Sequence, residues 1–263
     1  MIDMEISACM MVGRHEQSPA RPTGALTLLF YAWRTLNAQN ALKVALNEFV
    51  GPAVRDAGFN GSGKTWRRIN GHGDWAIVNV QSSAWSTSEE LRCVINISLV
   101  PQPWIAWTSH LLDQEVPKTP DEASGLYRDR IHPTGSPANT DEWWTVRNEA
   151  DAATVARDMV LRLTTDALPL LANLLERPKL LESLRNKDLG MVRGAGWDLH
   201  FMRAEAVLRA EEGMSPTLEE LLDDIDRHSG EKLRANAERL ISWVQSRAAA
   251  ADHGDRRVAS DRE

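Results

Sequence analysis

Cysteine is scarce in this sequence: Cys9 and Cys93 are the two thiols among 263 residues. Cys93 lies within an apolar strand pattern and Cys9 near the start of the chain, so a framework of several disulfides is not expected. A chain without such a framework suits a reducing compartment. We therefore predict a cytoplasmic location.

Signatures of catalysis and of metal binding are also missing. The seven histidines are scattered, with no pair at ligand spacing and no HExxH motif. There is no Gly-x-Ser-x-Gly elbow, and neither cysteine has a local nucleophile signature. Adjacent carboxylates such as Glu89-Glu90 are typical of solvated surfaces. We therefore predict no catalytic residue, no metal and no cofactor.

The chain has neither an excess of basic residues nor a long apolar run. Its net charge is −7, which disfavours binding to nucleic-acid backbones and to anionic membranes. The apolar run Ala25–Trp33 is far shorter than the roughly 20 residues needed to cross a bilayer. We expect no nucleic-acid partner and no membrane partner.

What the sequence does contain is a set of strand patterns behind a helix. Apolar residues recur at helical spacing from Leu42 to Ala57, and Gly58 supplies the left-handed residue that ends the helix. Glycine turns and a polar loop then separate three predicted strands. These strands are Thr65–Asn70, Trp75–Gln81 and Leu91–Val100.

Alternation along the strands assigns their side chains to two faces of a sheet. One face carries Ala76, Val78 and Val80 with the alternate positions from Leu91 to Leu99, which are all apolar. We expect helices to cover that face. The opposite face is predicted to be polar with an aromatic edge, and carries Trp75, Asn79, Gln81, Arg92, Asn96 and Ser98.

Prolines and helical patterns organise the rest of the chain. Pro101 and Pro103 stop the third strand, and a long loop is predicted from there through Pro137. Edge strands are predicted near its end at Leu126–Ile131 and Trp143–Val146, before a helix capped by Asp151. Three later segments are predicted to be helical: Asp198–Glu211, Pro216–Asp226 with Ser215 as its cap, and Glu231–Arg247.

These patterns divide the chain into four parts. They are a loose arm at 1–24, an α+β domain at 25–185, a helical extension at 186–248 and a disordered tail at 249–263. The predicted fold class is α+β, with a small, mainly antiparallel sheet packed against helices and a C-terminal helical extension.

The segment Gly58–Thr65 matches the phosphate-loop pattern GxxxxGK[ST] letter for letter. A phosphate loop needs a buried strand before it and a helix after it, so that the helix N-terminus faces the phosphates. Here a helix enters, and Gly71 and Gly73 soon interrupt the residues that leave. We interpret the segment as a turn between a helix and a β-hairpin, with nucleotide binding as the alternative.

Tryptophan is the residue type that stands out, with ten in the chain, most of them in the sheet and the loop after it. Packing in the core explains large aromatic side chains on a small sheet. The alternative is that some stand on the polar face beside amide and arginine side chains, which together form partner-binding surfaces. The candidate binding residues are Trp75, Asn79, Gln81, Asn96, Trp104, Arg128 and Arg130.

Several short motifs occur in a set order along this stretch. After the first helix come Gly58-Phe59, Thr65-Trp66-Arg67-Arg68, Val78–Ser83, Val94–Ile97, Arg130-Ile131, Asp141–Trp144 and Ala167–Leu171. Because these motifs occur in this order, the chain resembles the bacterial domain of unknown function 4304 family over about residues 42–184. The family carries no established activity, so the resemblance implies no catalytic residue. In its pattern the Gly58–Thr65 loop is only a turn.

We expect a non-catalytic interaction module of the bacterial cytoplasm, of an immunity-type or regulatory kind, whose partner is another protein. The alternative is an enzyme that binds a small molecule or nucleotide, using the Gly58–Thr65 loop or a pocket under the Trp104–Trp144 loop. A closed pocket with a perturbed acid/base pair would favour the enzyme, and an open, aromatic-edged face would favour the module. The oligomeric state stays open.

Overall fold

The computed structural model describes residues 38–87, 89–138 and 140–260, with side chains as far as His253. The arm predicted at 1–24 and the apolar run Ala25–Trp33 lie outside these residues. Within them the fold is α+β, with an antiparallel sheet packed against helices and more helices at the C-terminal end. No helix in this part of the chain is long and apolar enough to span a bilayer.

The first helix, α1, covers residues 38–56 and contains a wide π turn at Leu46–Val50 before its last segment, Gly51–Asp56. Pro52 accounts for this turn, because proline lacks a backbone donor and its ring would clash with a carbonyl one turn earlier. The N–H of Gly51 bonds to the carbonyl of Leu46 instead. Gly58 then ends the helix at a φ of 84°, as predicted.

The sheet that follows is six-stranded, in the order β1 to β5, with β6 also paired to β4. All of its pairs are antiparallel, and Val78 lies opposite Ile97. The three predicted strands and both predicted edge strands are confirmed. The bounds are β1 Asn60–Ser62, β2 Thr65–Ile69, β3 Trp75–Ser82, β4 Leu91–Val100, β5 Tyr127–Ile131 and β6 Trp144–Val146.

Helices occupy most of the chain outside the sheet. They are α2 Gln102–Leu111, α3 at 149–174 with a second π turn at Leu163–Ala167, α4 Arg177–Arg185, α5 Asp198–Arg209, α6 Pro216–His228 and α7 Arg234–Ser260. A short hairpin, β7 Asp188–Leu189 and β8 Val192–Arg193, lies between α4 and α5. The cap of α3 is Asn148, whose side chain accepts a hydrogen bond from the Asp151 N–H, so the predicted cap at Asp151 is wrong.

The inner face of the sheet is the alternating apolar row that the sequence predicts to be covered. Ala76, Val78, Ile95 and Ile97 are fully buried there. They share one core with the apolar sides of α1, α3 and α4, which confirms the predicted register of the faces.

The long loop predicted after Pro101 is wrong over its first part, because residues 102–111 form α2. Pro103 lies in the first turn of that helix, where its missing N–H has no partner to lose. Ile105 and Trp107 are buried on its packed side. The stretch expected to be one loop over a pocket is therefore α2, an irregular crossing segment and the edge strands β5 and β6.

The C-terminal helices α5, α6 and α7 confirm the three predicted helical segments. They build a second core, in which Leu218, Leu222 and Ile225 of α6 are buried together with Trp107 of α2. Ser215 caps α6 as predicted, its hydroxyl accepting from the Leu218 N–H at 3.2 Å.

The last helix continues beyond the predicted boundary at residue 249. The structure has α7 running through Ser260, where a disordered tail was expected. Ala248 is fully buried, and the carboxylate of Asp252 accepts a hydrogen bond from the Met214 N–H at 3.4 Å. These contacts hold the helix against the chain before α6, which the local composition of the tail does not reveal.

Candidate functional site

The outer face of the sheet, opposite the core formed with α1 and α3, is covered at one end and open at the other. At the covered end Ile77 and Val100 pack against Ile105 of α2, with Trp75 beside them. The sequence predicts an open polar face. This end is closed instead, because the outer face carries the apolar side chains Ile77 and Val100 there. At the other end Gln81 is exposed and Asn79 half-exposed.

A segment that we call the strap, residues 112–125, crosses the middle of the outer face. Residues 112–119 are exposed, Pro120 is buried, and its carbonyl accepts a hydrogen bond from Nε of Arg67 on β2 at 3.0 Å. Near β5 the strap touches the sheet at Gly125, where an added Cβ would lie 2.6 Å from the Cβ of Ser98. Only glycine fits this close approach. The strap thus forms a wall beside the open end.

The open end has a polar floor made of side chains from β2, β3, β4 and β5. The register aligns Thr65, Asn79, Asn96 and Arg130 in one row across the four strands. Nδ2 of Asn79 donates to the hydroxyl of Thr65 at 2.8 Å. We call this row, together with Gln81, the floor.

Asn96 is the central residue of the floor and is 5% exposed. Its Nδ2 donates to Oε1 of Gln81 at 2.7 Å, and its Oδ1 accepts from Nε of Arg130 at 3.2 Å. Both ends of the buried amide are therefore satisfied by neighbours on either side. This arrangement fixes the orientation of Gln81 and Arg130.

Arg130 extends the floor network to an aromatic rim. Its Nη1 donates to Asp141 at 2.7 Å, and its guanidinium lies 5.4 Å from the ring centroid of Trp143. Nε1 of Trp143 donates to the same carboxylate at 3.1 Å. Desolvation acts to raise the pKa of Asp141, but the hydrogen bonds from Arg130 and Trp143 outweigh it, so the pKa lies below its ordinary value. Asp141 therefore stays ionised.

The structure brings together four of the seven candidate residues on or next to the floor: Asn79, Gln81, Asn96 and Arg130. Arg128 lies beside them but is paired with Glu122 of the strap at 3.0 Å. Trp75 belongs to the covered end. Trp104 lies elsewhere, 5.6 Å from the ring of His200 on α5, and packs against both cores. Trp75 and Trp104 are therefore packing residues.

Two further aromatic residues are missing from the candidate set. Trp143 forms the rim, and Trp85, in the loop between β3 and β4, is 86% exposed. The N–H of Trp85 bonds to the hydroxyl of Ser83 at 3.1 Å, which orders the base of that loop. A sequence signal existed for Trp85, because it lies in a run of serine, threonine and alanine between two strands. A tryptophan there has no strand face on which to be buried.

The segment Gly58–Thr65 does not have the geometry of a phosphate loop. Helix α1 enters it, β1 lies inside it, and β2 leaves it as a strand, so no helix N-terminus faces the loop. Nζ of Lys64 donates to the hydroxyl of Ser82 at 2.7 Å. This agrees with the interpretation of the segment as a turn leading into a β-hairpin.

The groups with strongly shifted pKa values lie away from the floor. Burial raises the pKa of Cys93 on the inner face to about 12. Burial also raises the pKa of Tyr127 and lowers that of His200, on α5, to about 4. Within the described ranges, no three His, Cys, Asp or Glu side chains stand close enough together to hold a metal ion.

The comparisons with known proteins bear on the sheet domain. The model of the family "Domain of unknown function (DUF4304)" matches residues 50–173. That match starts in α1, includes the whole six-stranded sheet with the strap and the floor, and ends in α3. Searches among curated proteins and among solved structures found no match to the chain. This match over residues 50–173 supports the resemblance to the DUF4304 family that the order of the motifs predicts.

Proposed function

We propose that this protein is a non-catalytic binding module that takes a polypeptide partner on the open end of the outer sheet face. The observation that carries the proposal is the connected network of Gln81, Asn96, Arg130, Asp141 and Trp143. It holds polar side chains in place at an open surface. A partner that meets such a surface loses less affinity to the ordering of side chains.

The chemistry of the floor suits a polypeptide. Amide side chains such as Asn79 and Gln81 offer both donors and acceptors, as the backbone of a partner chain does. Arginine and tryptophan, here Arg130 and Trp143, are the residue types that dominate the energy of protein interfaces. We further propose a bacterial, cytoplasmic setting with an immunity-type or regulatory role, which the low cysteine content supports.

The test begins with a photocrosslinking amino acid at Gln81, where the side chain is exposed at the edge of the floor. The control carries the same amino acid at Glu220, exposed on α6. We expect a polypeptide crosslinked from Gln81 and absent from the Glu220 control. The captured polypeptide is then produced in pure form, and its binding is measured by calorimetry.

Variants of the purified protein decide whether the floor is responsible. Arg130→Ala removes the centre of the network, and we expect it to weaken binding about tenfold or more. Arg185→Ala is the matched control, because this arginine is also paired with a carboxylate but lies on α4. Equal affinities for the two variants would contradict the proposal.

A further inference from the structure

Trp85 is the most exposed of the large apolar side chains that the structure describes. It is 86% exposed, whereas the next in order, Leu112, is 62% exposed. A tryptophan that becomes buried removes about 150–250 Å² of surface from water, which makes it one of the most favourable side chains to cover. Within this chain that surface stays open to solvent, and it is available for a contact with another molecule.

The loop that carries Trp85, between β3 and β4, is held in a defined conformation. On one side of the tryptophan, the N–H of Ser83 donates to the carbonyl of Arg92 at 2.8 Å. On the other side, the N–H of Thr87 donates to the carbonyl of Glu90 at 2.9 Å, and the hydroxyl of Thr87 accepts from the N–H of Glu90 at 3.1 Å. The backbone is thus fixed on both sides of the ring. A partner that binds there loses less affinity to the ordering of the loop.

The immediate neighbours of Trp85 along the chain carry no charge. From Ser82 to Thr87 they are serine, alanine and threonine. Charged residues begin at Glu89, and Glu90 is paired with two arginines, at 2.8 and 2.7 Å. A pocket on a protein can therefore enclose the ring and its neighbours without desolvating an ionised group. The loop contains no lysine or arginine, so it lacks the cations that bind anionic lipid headgroups.

This loop starts at the end of the sheet where the floor lies. Gln81 of the floor is opposite Val94, and Ser82 opposite Cys93 is the last pair of β3 and β4 before the loop. Trp85 follows Gln81 by four residues, so their Cα atoms are at most about 14 Å apart. A standard protein interface covers about 800 Å² on each partner, which is roughly 30 Å across. A polypeptide bound at the floor is therefore large enough to include Trp85 in its interface.

We propose that Trp85 is the apolar anchor of this interface, and that its ring inserts into an apolar pocket on the polypeptide that binds the floor. Tryptophan is one of the residue types that dominate binding energy, and such residues fill well-packed pockets surrounded by a polar rim. The small polar side chains on either side of Trp85 supply a neutral rim of this kind. The inference rests on the proposed function and adds a feature of the partner, an apolar pocket that accepts an indole ring.

The polypeptide captured from Gln81 is the probe, titrated in pure form against the full chain by calorimetry. We expect Trp85→Ala to weaken its binding about 30-fold. Trp85→Phe keeps an aromatic ring and should weaken binding less. Leu161→Ala is the control, because this side chain is also exposed, at 51%, but lies on α3, and the affinity should not change. Thermal melting of all three variants should match that of the natural chain, since they alter exposed side chains.

Oxidative footprinting with mass spectrometry locates the contact directly. In the free protein we expect rapid oxidation of Trp85, and in the complex we expect Trp85 to be protected. Trp197, which is 36% exposed and precedes α5, should be oxidised at the same rate in both samples.

Three results would overturn the inference. If Arg130→Ala weakens binding of the captured polypeptide and Trp85→Ala does not, Trp85 is no anchor and the proposed function stands. Binding of the full chain to phosphatidylcholine vesicles that is lost in Trp85→Ala would assign the ring to a lipid surface. If no polypeptide is captured from Gln81, the proposed function fails and the inference fails with it.

Discussion

Ile97 shows how the inner face depends on a single side chain. It is fully buried, opposite Val78 in the register of β3 and β4. Ile97→Ala removes buried methyl groups and leaves a cavity, so we expect a loss of about 2–5 kcal/mol in the free energy of unfolding. Ile69→Ala, on β2 but 52% exposed, is the matched control and should change stability by less than about 0.5 kcal/mol. Chemical denaturation measures both, and a similar small loss at the two positions would contradict the register.

His200 predicts a dependence of stability on pH. Burial first, and then the charge of Arg203, lowers its pKa from 6.5 to about 4 in the folded protein. Between these values the unfolded chain binds the proton and the folded chain does not, so stability falls as the pH drops from 6.5 towards 4.

His200→Phe removes this titration and keeps a ring against Trp104 and Trp197. We expect the variant to lose less stability than the natural chain over that pH range, by at most about 3 kcal/mol. Urea denaturation at a series of pH values provides the comparison. Glu211, which also titrates abnormally, is common to both proteins and cancels. Parallel pH profiles would show that His200 is not desolvated.

At the residue scale, the sequence predicts which face a side chain joins better than it predicts its partners. Alternation placed Asn96 on the outer face correctly, because strand side chains alternate with period two. Its bond to Arg130, 34 residues away, depends on how β5 returns to β4, and no local pattern carries that information. The sequence predicts Trp104 as a candidate binding residue, whereas the structure places it against His200 of α5, almost a hundred residues later in the chain.

Among the elements, the hairpin at Gly58–Thr65 is a case in which sequence letters and geometry disagree. Lys64 bonds to Ser82 and follows β1 in a tight turn, with no helix N-terminus to hold phosphates. We expect Lys64→Ala to leave the fold intact and to change no nucleotide affinity. Thermal shifts with ATP and GTP in the presence of magnesium test this. A stabilisation by several degrees that disappears in the variant would restore the nucleotide-binding alternative.

Proline had two structural outcomes in this chain, and only one was anticipated. Pro52 and Pro169 each lie inside a helix and follow a π turn. Pro101 and Pro103 were correctly interpreted as the end of β4, but the same residues also begin α2. A proline that ends a strand is compatible with either a loop or a helix after it. The helix is favoured because it buries Ile105 and Trp107. Ile105 packs against the outer face of the sheet, and Trp107 packs against α7.

On the scale of the whole molecule, an ion network centred on the buried Asp74 connects the sheet domain to the C-terminal helices. Asp74 is 2% exposed and accepts hydrogen bonds from Arg177 on α4 and from the first N–H of α2. Arg177 also lies 3.4 Å from Glu211, just after α5. Removal of one member of such a network leaves an uncompensated buried charge, which is strongly destabilising. The network therefore favours one arrangement of the two parts.

The C-terminal helices are accordingly expected to be part of one cooperative structure rather than an independent arm. Trp107 of α2 lies in their core, and α5 packs against α2 and α4. Removal of residues 190–263 would expose Trp107 and leave Arg177 without Glu211, so we expect a lower melting temperature and lower solubility. Removal of residues 254–263 is the control, because Ala248 is the last buried apolar residue of α7 among the side chains described as far as His253, and it should melt like the full chain. If the 1–189 chain also melts at the temperature of the full chain, the extension contributes nothing to the stability of the sheet domain, and the ion network between them is incidental.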